Sequence, residues 1–161
     1  MPFKIAIAGA SGRMGQILVD AVRAADDCVL TGAFDIAASP AIGRDAGAAV
    51  GVVTGVVITA DVRQGLLGCS ALIDFTRPEG TLQHLRVCRD LGIAAVVGTT
   101  GFSDAEKAEI AEIAKHIPIM MAPNMSVGVN VTLKLLEMAA KALATGYDIE
   151  IIEAQIGRAH V

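Results

Sequence analysis

The chain has 161 residues, of which 53% are apolar and only 3% aromatic, and its net charge at pH 7 is −4. That length suits one domain with a sizeable core, or one domain and part of another. The acidic balance argues against a nucleic-acid surface, and no run of about eighteen apolar residues predicts a membrane span. Cys28, Cys69 and Cys88 lie far apart without metal-ligand spacing. We therefore predict a cytoplasmic protein with free, buried cysteines and no metal site.

The first predicted unit is a strand, a glycine turn and a helix. An apolar run predicts a strand over Lys4–Ala8, and helical spacing predicts a helix over about Met14–Ala25. The turn between them has the context of a dinucleotide-binding fingerprint, although Ala10 replaces the usual first glycine. Glycines permit the tight turn, and the helix N-terminus directs N–H groups at phosphates. The turn reads Gly9-Ala10-Ser11-Gly12-Arg13-Met14-Gly15, and its arginine is predicted to contact the dinucleotide rather than only solvent.

An acidic residue closes the second predicted strand, Val29–Phe34. Asp35 lies about twenty residues beyond the glycines, where a carboxylate can accept hydrogen bonds from the adenosine ribose hydroxyls. Ile36 supplies no cation for the 2′-phosphate of NADP, so the residues favour NADH over NADPH. Arg44, in the predicted loop over 37–51, is the residue that could reverse this preference by folding back.

Strands and helices alternate through the rest of the chain. Further strands are predicted over Val56–Thr59, Ala71–Phe75, Ile93–Val97, Ile117–Met121 and Asp148–Ala154, and helices over Val62–Leu67, Pro78–Leu91, Ser103–His116 and Val129–Ala144. This alternation predicts an α/β fold with a doubly wound parallel sheet of the Rossmann type. Small-residue turns at Gly98–Gly101 and Ala122–Ser126 would join the first glycine turn at the carboxyl ends of the strands. His84 is expected on the surface or in packing rather than in catalysis.

Five sequence blocks point to a known family. They read Gly9-Ala10-Ser11-Gly12-Arg13-Met14-Gly15, Ile73-Asp74-Phe75-Thr76-Arg77-Pro78, Val97-Gly98-Thr99-Thr100-Gly101-Phe102, Ala122-Pro123-Asn124-Met125-Ser126-Val127-Gly128-Val129-Asn130 and Asp148-Ile149-Glu150-Ile151-Ile152-Glu153-Ala154. Together, and in this order, they closely resemble the dihydrodipicolinate reductase family, also called 4-hydroxy-tetrahydrodipicolinate reductase. The resemblance runs from Lys4 to about Ala154.

The resemblance implies a nicotinamide-dependent reductase that converts 4-hydroxy-tetrahydrodipicolinate to tetrahydrodipicolinate in diaminopimelate and lysine biosynthesis. It implies a nicotinamide cofactor, for which Asp35 and Ile36 favour NADH with NADPH possible, a small dicarboxylate substrate, and a homotetramer for the full-length protein. Residues 1–126 would form the dinucleotide-binding domain and 127–161 the start of an incomplete substrate and tetramerisation domain. The implied contacts are Gly9, Ala10, Ser11, Gly12, Arg13 and Met14 at the pyrophosphate, Asp35 at the ribose, and Gly98, Thr99, Thr100, Ala122, Pro123, Asn124 and Met125 at the nicotinamide end.

The resemblance stops after Ala154. The family continues with a segment that carries a proton-donor His and a substrate-binding His and Lys, and no position here matches it. We therefore assign no catalytic residue, and His160 is not a substitute. Residues 156–161 read as the translation of a common sequencing-adapter string, so 155–161 are expected to be a non-native tail on a truncated chain. We expect cofactor binding with negligible turnover. The alternative is a nicotinamide-binding module without catalysis.

Overall fold

The computed structural model describes residues 1–152. Its strands are β1 (Phe3–Ala8), β2 (Cys28–Phe34), β3 (Ala71–Asp74), β4 (Ala94–Val97) and β5 (Ile119–Met121); its helices are α1 (Arg13–Ala24), α2 (Val62–Leu66), α3 (Pro78–Leu91), α4 (Asp104–Ile113) and α5 (Val127–Ala142). Two compact units divide the chain, one covering Met1–Pro123 and one beginning at Asn124. The domain boundary after residue 126 stays a prediction, and the tail over 155–161 with His160 lies outside the described residues.

The five strands form one parallel sheet in the order β2-β1-β3-β4-β5. The predicted α/β fold with a doubly wound parallel sheet is therefore confirmed. β1 is the topological switch point, because the chain places β2 on one side of it and then crosses over to place β3 on the other. In such sheets ligands bind in the crevice outside the carboxyl ends of the strands at this point. The glycine turn follows β1 directly.

Alternate residues of β1 enter two separate cores. Ile5 and Ile7 pack in a cluster with Val19 of α1, whereas Ala6 and Ala8 pack in a cluster that contains Leu85 of α3. Since successive side chains of a strand point to opposite faces, helices cover the sheet on both sides. Small residues on β1 let those helices approach closely, which accounts for a core with few aromatic side chains.

The helix caps follow the local sequence. Ser103 and Glu106 form a capping box, in which the serine N–H donates to the glutamate Oε2 at 2.7 Å and the glutamate N–H donates to the serine Oγ at 3.3 Å. Pro78 occupies the first turn of α3 with Arg77 as its N-cap. Asp61 caps α2 by accepting the Gln64 N–H at 3.0 Å. Ser103 and Asp61 thus satisfy N–H groups that have no partner inside the helix, whereas Pro78 has no N–H to satisfy.

Two predicted strands are wrong over the described residues. Val56–Thr59 forms only single-residue bridges, a parallel one between Thr59 and Phe34 and an antiparallel one between Val57 and Asp45. The segment divides its pairing between β2 and its own loop, so no continuous ladder develops. Residues 148–152 form no strand either, because none of the described strands pairs with them and an isolated strand leaves its backbone groups unsatisfied. Glu153 and Ala154 lie beyond the described part.

One carboxylate organises the long loop between β2 and α2. Asp45 accepts hydrogen bonds from the N–H groups of Gly47, Thr54 and Gly55 at 2.8, 3.0 and 2.7 Å, and from the Thr54 hydroxyl at 2.9 Å. These bonds, led by that of the Thr54 N–H, lower the pKa of Asp45 to about 2. The irregular sequence of this loop does not predict the role of Asp45.

Replacing Asp45 with Asn should destabilise the protein in a pH-dependent way. An amide NH2 cannot accept the Gly55 N–H, whereas the ionised carboxylate of the wild type accepts all four donors. Because the carboxyl pKa is lowered on folding, its contribution is fully present above about pH 4. It is lost as the pH falls toward about 2. The check is thermal unfolding by circular dichroism between pH 6 and pH 2, with the exposed Asp26→Asn as control; a difference from wild type that stays constant across this range would contradict the assignment.

Candidate functional site

The turn after β1 is shaped by its first glycine. Gly9 has a φ of +62°, a conformation that side chains with a Cβ rarely adopt. The Gly12 N–H donates to the Gly9 carbonyl at 2.9 Å, and the Ala10 N–H donates to the Phe34 carbonyl of β2 at 3.2 Å. Ala10 itself is completely buried in the core. The residue with a positive φ is therefore Gly9 and not residue 10, so an alanine can occupy the position of the usual first glycine.

The last glycine of the turn sets how closely α1 approaches β1. A Cβ on Gly15 would lie 2.2 Å from the Gly9 carbonyl oxygen, so no side chain fits there without a backbone shift. Gly12 is the N-cap of α1 and provides no side-chain cap. The first-turn N–H groups are consequently left for an external acceptor. Arg13 and Met14 are exposed on that first turn, with the arginine as the first residue of the helix rather than inside the turn.

Asp35 lies against the glycine turn. Its Oδ2 accepts the Ser11 N–H at 3.0 Å and the Ser11 hydroxyl at 2.5 Å, and its Oδ1 accepts the Ile36 N–H at 2.8 Å. The Ser39 hydroxyl lies 3.1 Å from that of Ser11. The fold thus brings two separate predicted features, the turn and the acidic residue after β2, into direct contact. Ser39 was missed because its loop has no regular pattern that fixes its position.

A buried carboxylate lies at the end of β3. Asp74 is fully buried; its Oδ1 accepts the Thr76 N–H at 2.9 Å and the Thr76 hydroxyl at 2.7 Å, and its Oδ2 lies 2.7 Å from the His84 Nδ1. A carboxylate only accepts, so this histidine nitrogen is the donor. The Thr99 hydroxyl lies 3.5 Å from Oδ1 and 2.9 Å from the Thr81 hydroxyl. His84 is therefore a packing residue, as predicted, but one with a charged partner.

The surroundings of Asp74 keep it ionised. Burial opposes the charge, but the hydrogen bond and charge of His84, together with the hydrogen bonds of Thr76, outweigh it and lower the pKa of Asp74. In the sequence, Asp74 stands out only as part of a motif. A signal was present, because an acidic residue after the apolar Leu72-Ile73 of a buried strand requires a partner.

The predicted turn after β4 lies beside this cluster. The Gly98 N–H donates to the Asp74 carbonyl at 2.9 Å, and a Cβ on Gly98 would lie 1.9 Å from the Phe75 ring. Thr99 is buried and Thr100 is exposed. Ala122, after β5, donates its N–H to the Val97 carbonyl at 3.2 Å, and Pro123 closes the first unit. These predicted residues follow one another along the carboxyl ends of the neighbouring strands β4 and β5.

Two of the predicted residues, Asn124 and Met125, belong to the second unit. The Asn124 side chain accepts the Ser126 N–H at 2.8 Å, and the Ser126 hydroxyl caps α5 by accepting the Val129 N–H at 3.4 Å. The Asn130 side-chain amide donates to the carbonyls of Asn124 and Ser126 at 3.0 and 2.8 Å. This motif therefore fixes the start of α5, and Met125 is held between two anchored residues.

In residues 1–152 no three His, Cys, Asp or Glu side chains cluster in a way that could hold a metal ion. No described helix combines the length and hydropathy needed to cross a bilayer. Cys88 is buried, and burial, with smaller effects of Asp74 and Cys69, raises its pKa to about 12. Cys88 is therefore a core residue and not a nucleophilic thiolate.

The architecture defines a class of protein. The switch-point strand of the parallel sheet leads into a glycine turn and an uncapped helix, and a carboxylate follows the next strand. This combination defines a Rossmann-type dinucleotide-binding fold. The sequence profile described as "Dihydrodipicolinate reductase, N-terminus" matches residues 3–125. The chain belongs to the dihydrodipicolinate reductase family.

Curated relatives support this membership. The chain is 63% identical over 150 residues to a protein of Cupriavidus pinatubonensis named 4-hydroxy-tetrahydrodipicolinate reductase, covering 93% of this chain and 57% of that protein. It is 62% identical over 151 residues to a protein of the same name from Janthinobacterium sp. (strain Marseille), covering 94% of this chain and 56% of that protein. The chain thus spans a little over half the length of these relatives.

Solved structures share the fold. A dipicolinate-bound dihydrodipicolinate reductase from Paenisporosarcina sp. TG-14 superposes with a TM-score of 0.69 at 23% identity, over 87% of this chain and 54% of that one. The WlbA dehydrogenase from Chromobacterium violaceum, in complex with NADH and UDP-GlcNAcA, superposes with a TM-score of 0.64 at 21% identity, over 90% of this chain and 41% of that one. At these identities the likeness establishes the architecture alone.

Two helical glycines should respond oppositely to alanine. Gly15→Ala should destabilise the protein by about 1–3 kcal/mol, the usual cost of overpacking, because its Cβ would overlap the Gly9 carbonyl. Gly80→Ala is the matched control, since the nearest atom to its Cβ is the Thr76 Oγ1 at 3.4 Å; it should be neutral or stabilising by up to about 1 kcal/mol. Urea unfolding measures both. Equal free energies of unfolding for the two variants would show that the close approach at Gly15 does not constrain the fold.

Proposed function

We propose that the whole protein is an NAD(P)H-dependent 4-hydroxy-tetrahydrodipicolinate reductase of diaminopimelate and lysine biosynthesis, and that this chain contributes its dinucleotide-binding part. The observation that carries the proposal is the contact between the glycine turn and Asp35, in a chain 63% identical to a protein named for that activity. The substrate would be a small cyclic dicarboxylate, the location the cytoplasm and the full-length assembly a homotetramer.

The glycine turn would hold the pyrophosphate of the cofactor. The uncapped first turn of α1 presents N–H groups and the positive end of the helix dipole, and Gly9, Ala10, Ser11, Gly12, Arg13 and Met14 would surround the phosphates. Gly98, Thr99, Thr100, Ala122, Pro123, Asn124 and Met125 would receive the nicotinamide end. When bound, the cofactor supplies the hydride, and the protein's share is orientation and charge placement.

Asp35 would select NADH. Its Oδ2 is already satisfied by Ser11, whereas its Oδ1 accepts only the Ile36 N–H and retains capacity for a ribose hydroxyl. A 2′-phosphate at the same place would meet a carboxylate instead of a cation. Arg44 is the residue that could offset this repulsion; its backbone N–H and carbonyl bond to Ala41 and Ile58, which ties it to the loop.

Removing the Asp35 charge should shift the cofactor preference. Wild type should bind NADH more tightly than NADPH, and Asp35→Ser should weaken NADH by about tenfold, the loss of one charge-assisted hydrogen bond, while NADPH binds as well or better. Fluorescence titration of the reduced nicotinamide gives both dissociation constants. Asp27→Ser, at the opposite end of β2, is the matched control and should change neither. Equal wild-type affinities, or an unchanged ratio in Asp35→Ser, would contradict the assignment.

The reductase activity can be tested with a chimera. Residues 1–125 of this chain, joined to the remaining residues of the C. pinatubonensis relative, should oxidise NADH when 4-hydroxy-tetrahydrodipicolinate is present and not without it. The absorbance of NADH measures the rate, and the 161-residue chain alone is the control, with negligible turnover expected. A folded chimera that binds NADH but shows no substrate-dependent rate would refute the proposed activity.

A further inference from the structure

We propose that Asp74 is a positioning residue, which holds the turns after β3 and β4 in the shape that receives the nicotinamide half of the cofactor. The inference rests on the proposed function, because it takes that half of the cofactor to lie at these strand ends. It goes further by assigning a role to Asp74, a fully buried residue that is not among the proposed cofactor contacts.

The polar residues of the core are concentrated in this one network. Asp74, Thr81 and Thr99 are the buried polar or charged residues among the described part of the chain. All three belong to the same chain of hydrogen bonds, which ends at the half-buried His84. Every buried side-chain N or O atom in residues 1–152 has a partner. A core that is otherwise apolar thus contains one complete polar cluster, placed at the carboxyl ends of two central strands.

Stability alone does not account for a carboxylate at this position. Burying a charge costs free energy that a pair recovers only in part, and apolar residues of similar volume are often as stabilising. A fully satisfied buried network does, however, fix a single arrangement of the groups bonded to it. Apart from His84 of α3, the groups bonded to the Asp74 carboxylate are Thr76 and Thr99 of the two turns, so the arrangement that it fixes includes theirs.

The network reaches the turn after β3 and the turn after β4. Thr76, in the turn after β3, is held by its N–H and its hydroxyl on one carboxylate oxygen. In the turn after β4, Gly98 is bonded to the Asp74 backbone and the Thr99 hydroxyl is bonded to Thr81 of α3. The carboxylate itself holds Thr76 directly and Thr99 by a contact of 3.5 Å. Its loss would therefore free Thr76 and disturb the turn after β4 through Thr99 and Thr81.

The adenosine side is held by a separate set of hydrogen bonds. Ser11, Asp35 and Ser39 form that set, and it shares no residue with the Asp74 network. Ligands that contain only the adenosine and phosphate groups should therefore not sense the loss of Asp74. This selectivity distinguishes a positioning role from a general loss of stability.

The test compares two ligands on the full chain. NADH and ADP-ribose, which lacks nicotinamide, are titrated against wild type, Asp74→Asn and Thr81→Val. Both variants should bind NADH about tenfold more weakly, equivalent to ~1.4 kcal/mol, with ADP-ribose affinity changed by less than about twofold.

Thr81→Ser retains the hydroxyl and should bind as wild type does. Thr31→Val, on β2, is the matched control for removal of a threonine hydroxyl. Urea unfolding reports whether each variant is folded. If Asp74→Asn does not fold, the NADH and ADP-ribose affinities of Thr81→Val test the proposal.

The outcomes separate the two proposals. If wild type binds neither ligand, the proposed cofactor function fails and this inference fails with it. If wild type binds both ligands but the folded variants weaken both equally, or weaken neither, Asp74 has only a structural role while the proposed function stands. The same is true if wild type binds NADH no more tightly than ADP-ribose, because the nicotinamide half would then contribute nothing at these turns.

Discussion

The approach of α1 to the end of β1 constrains the rest of this structure. The helix lies so close that a Cβ on Gly15 would overlap the backbone of Gly9, and that closeness aims the first-turn N–H groups at the crevice. The small side chains of Ala6 and Ala8 in β1 likewise allow close packing on the opposite face of the sheet. Because packing at both faces depends on small side chains, the glycine turn and the core depend on each other, and neither can change without the other.

Around that turn, the polar side chains form hydrogen bonds with one another within the protein. Ser11 occupies one oxygen of Asp35, and Thr76 and His84 occupy both oxygens of Asp74. The carboxylates are thereby held in fixed orientations, which would lower the entropic cost of ordering them around a ligand. Asp45 does the same for the loop that follows β2. Hydrogen bonds to three acidic side chains thus hold the conformation of segments that have no regular secondary structure.

The sequence predicted what depends on local chemistry. Glycines with a helix behind them, a serine three residues before a glutamate, and an acidic residue at a strand end each have a meaning that needs no distant partner. The features that the sequence did not predict depend on distant partners. His84 gains its role only because α3 brings it to Asp74. The segment Val56–Thr59, expected as a strand, divides its pairing between β2 and Asp45. Residues 148–152 show the same limit, since a strand pattern forms a strand only beside a neighbour.

The position of β1 also has a consequence for folding kinetics. Its partners are far apart in the chain: β2 begins at Cys28, whereas β3 begins at Ala71. Closing the longer of these loops costs entropy before the pairing repays it, and parallel sheets built this way form slowly. The β1–α1–β2 segment can associate early, but the crevice exists only once β3 has docked on the other edge of β1. Binding competence should therefore appear late in folding, in step with the completed sheet.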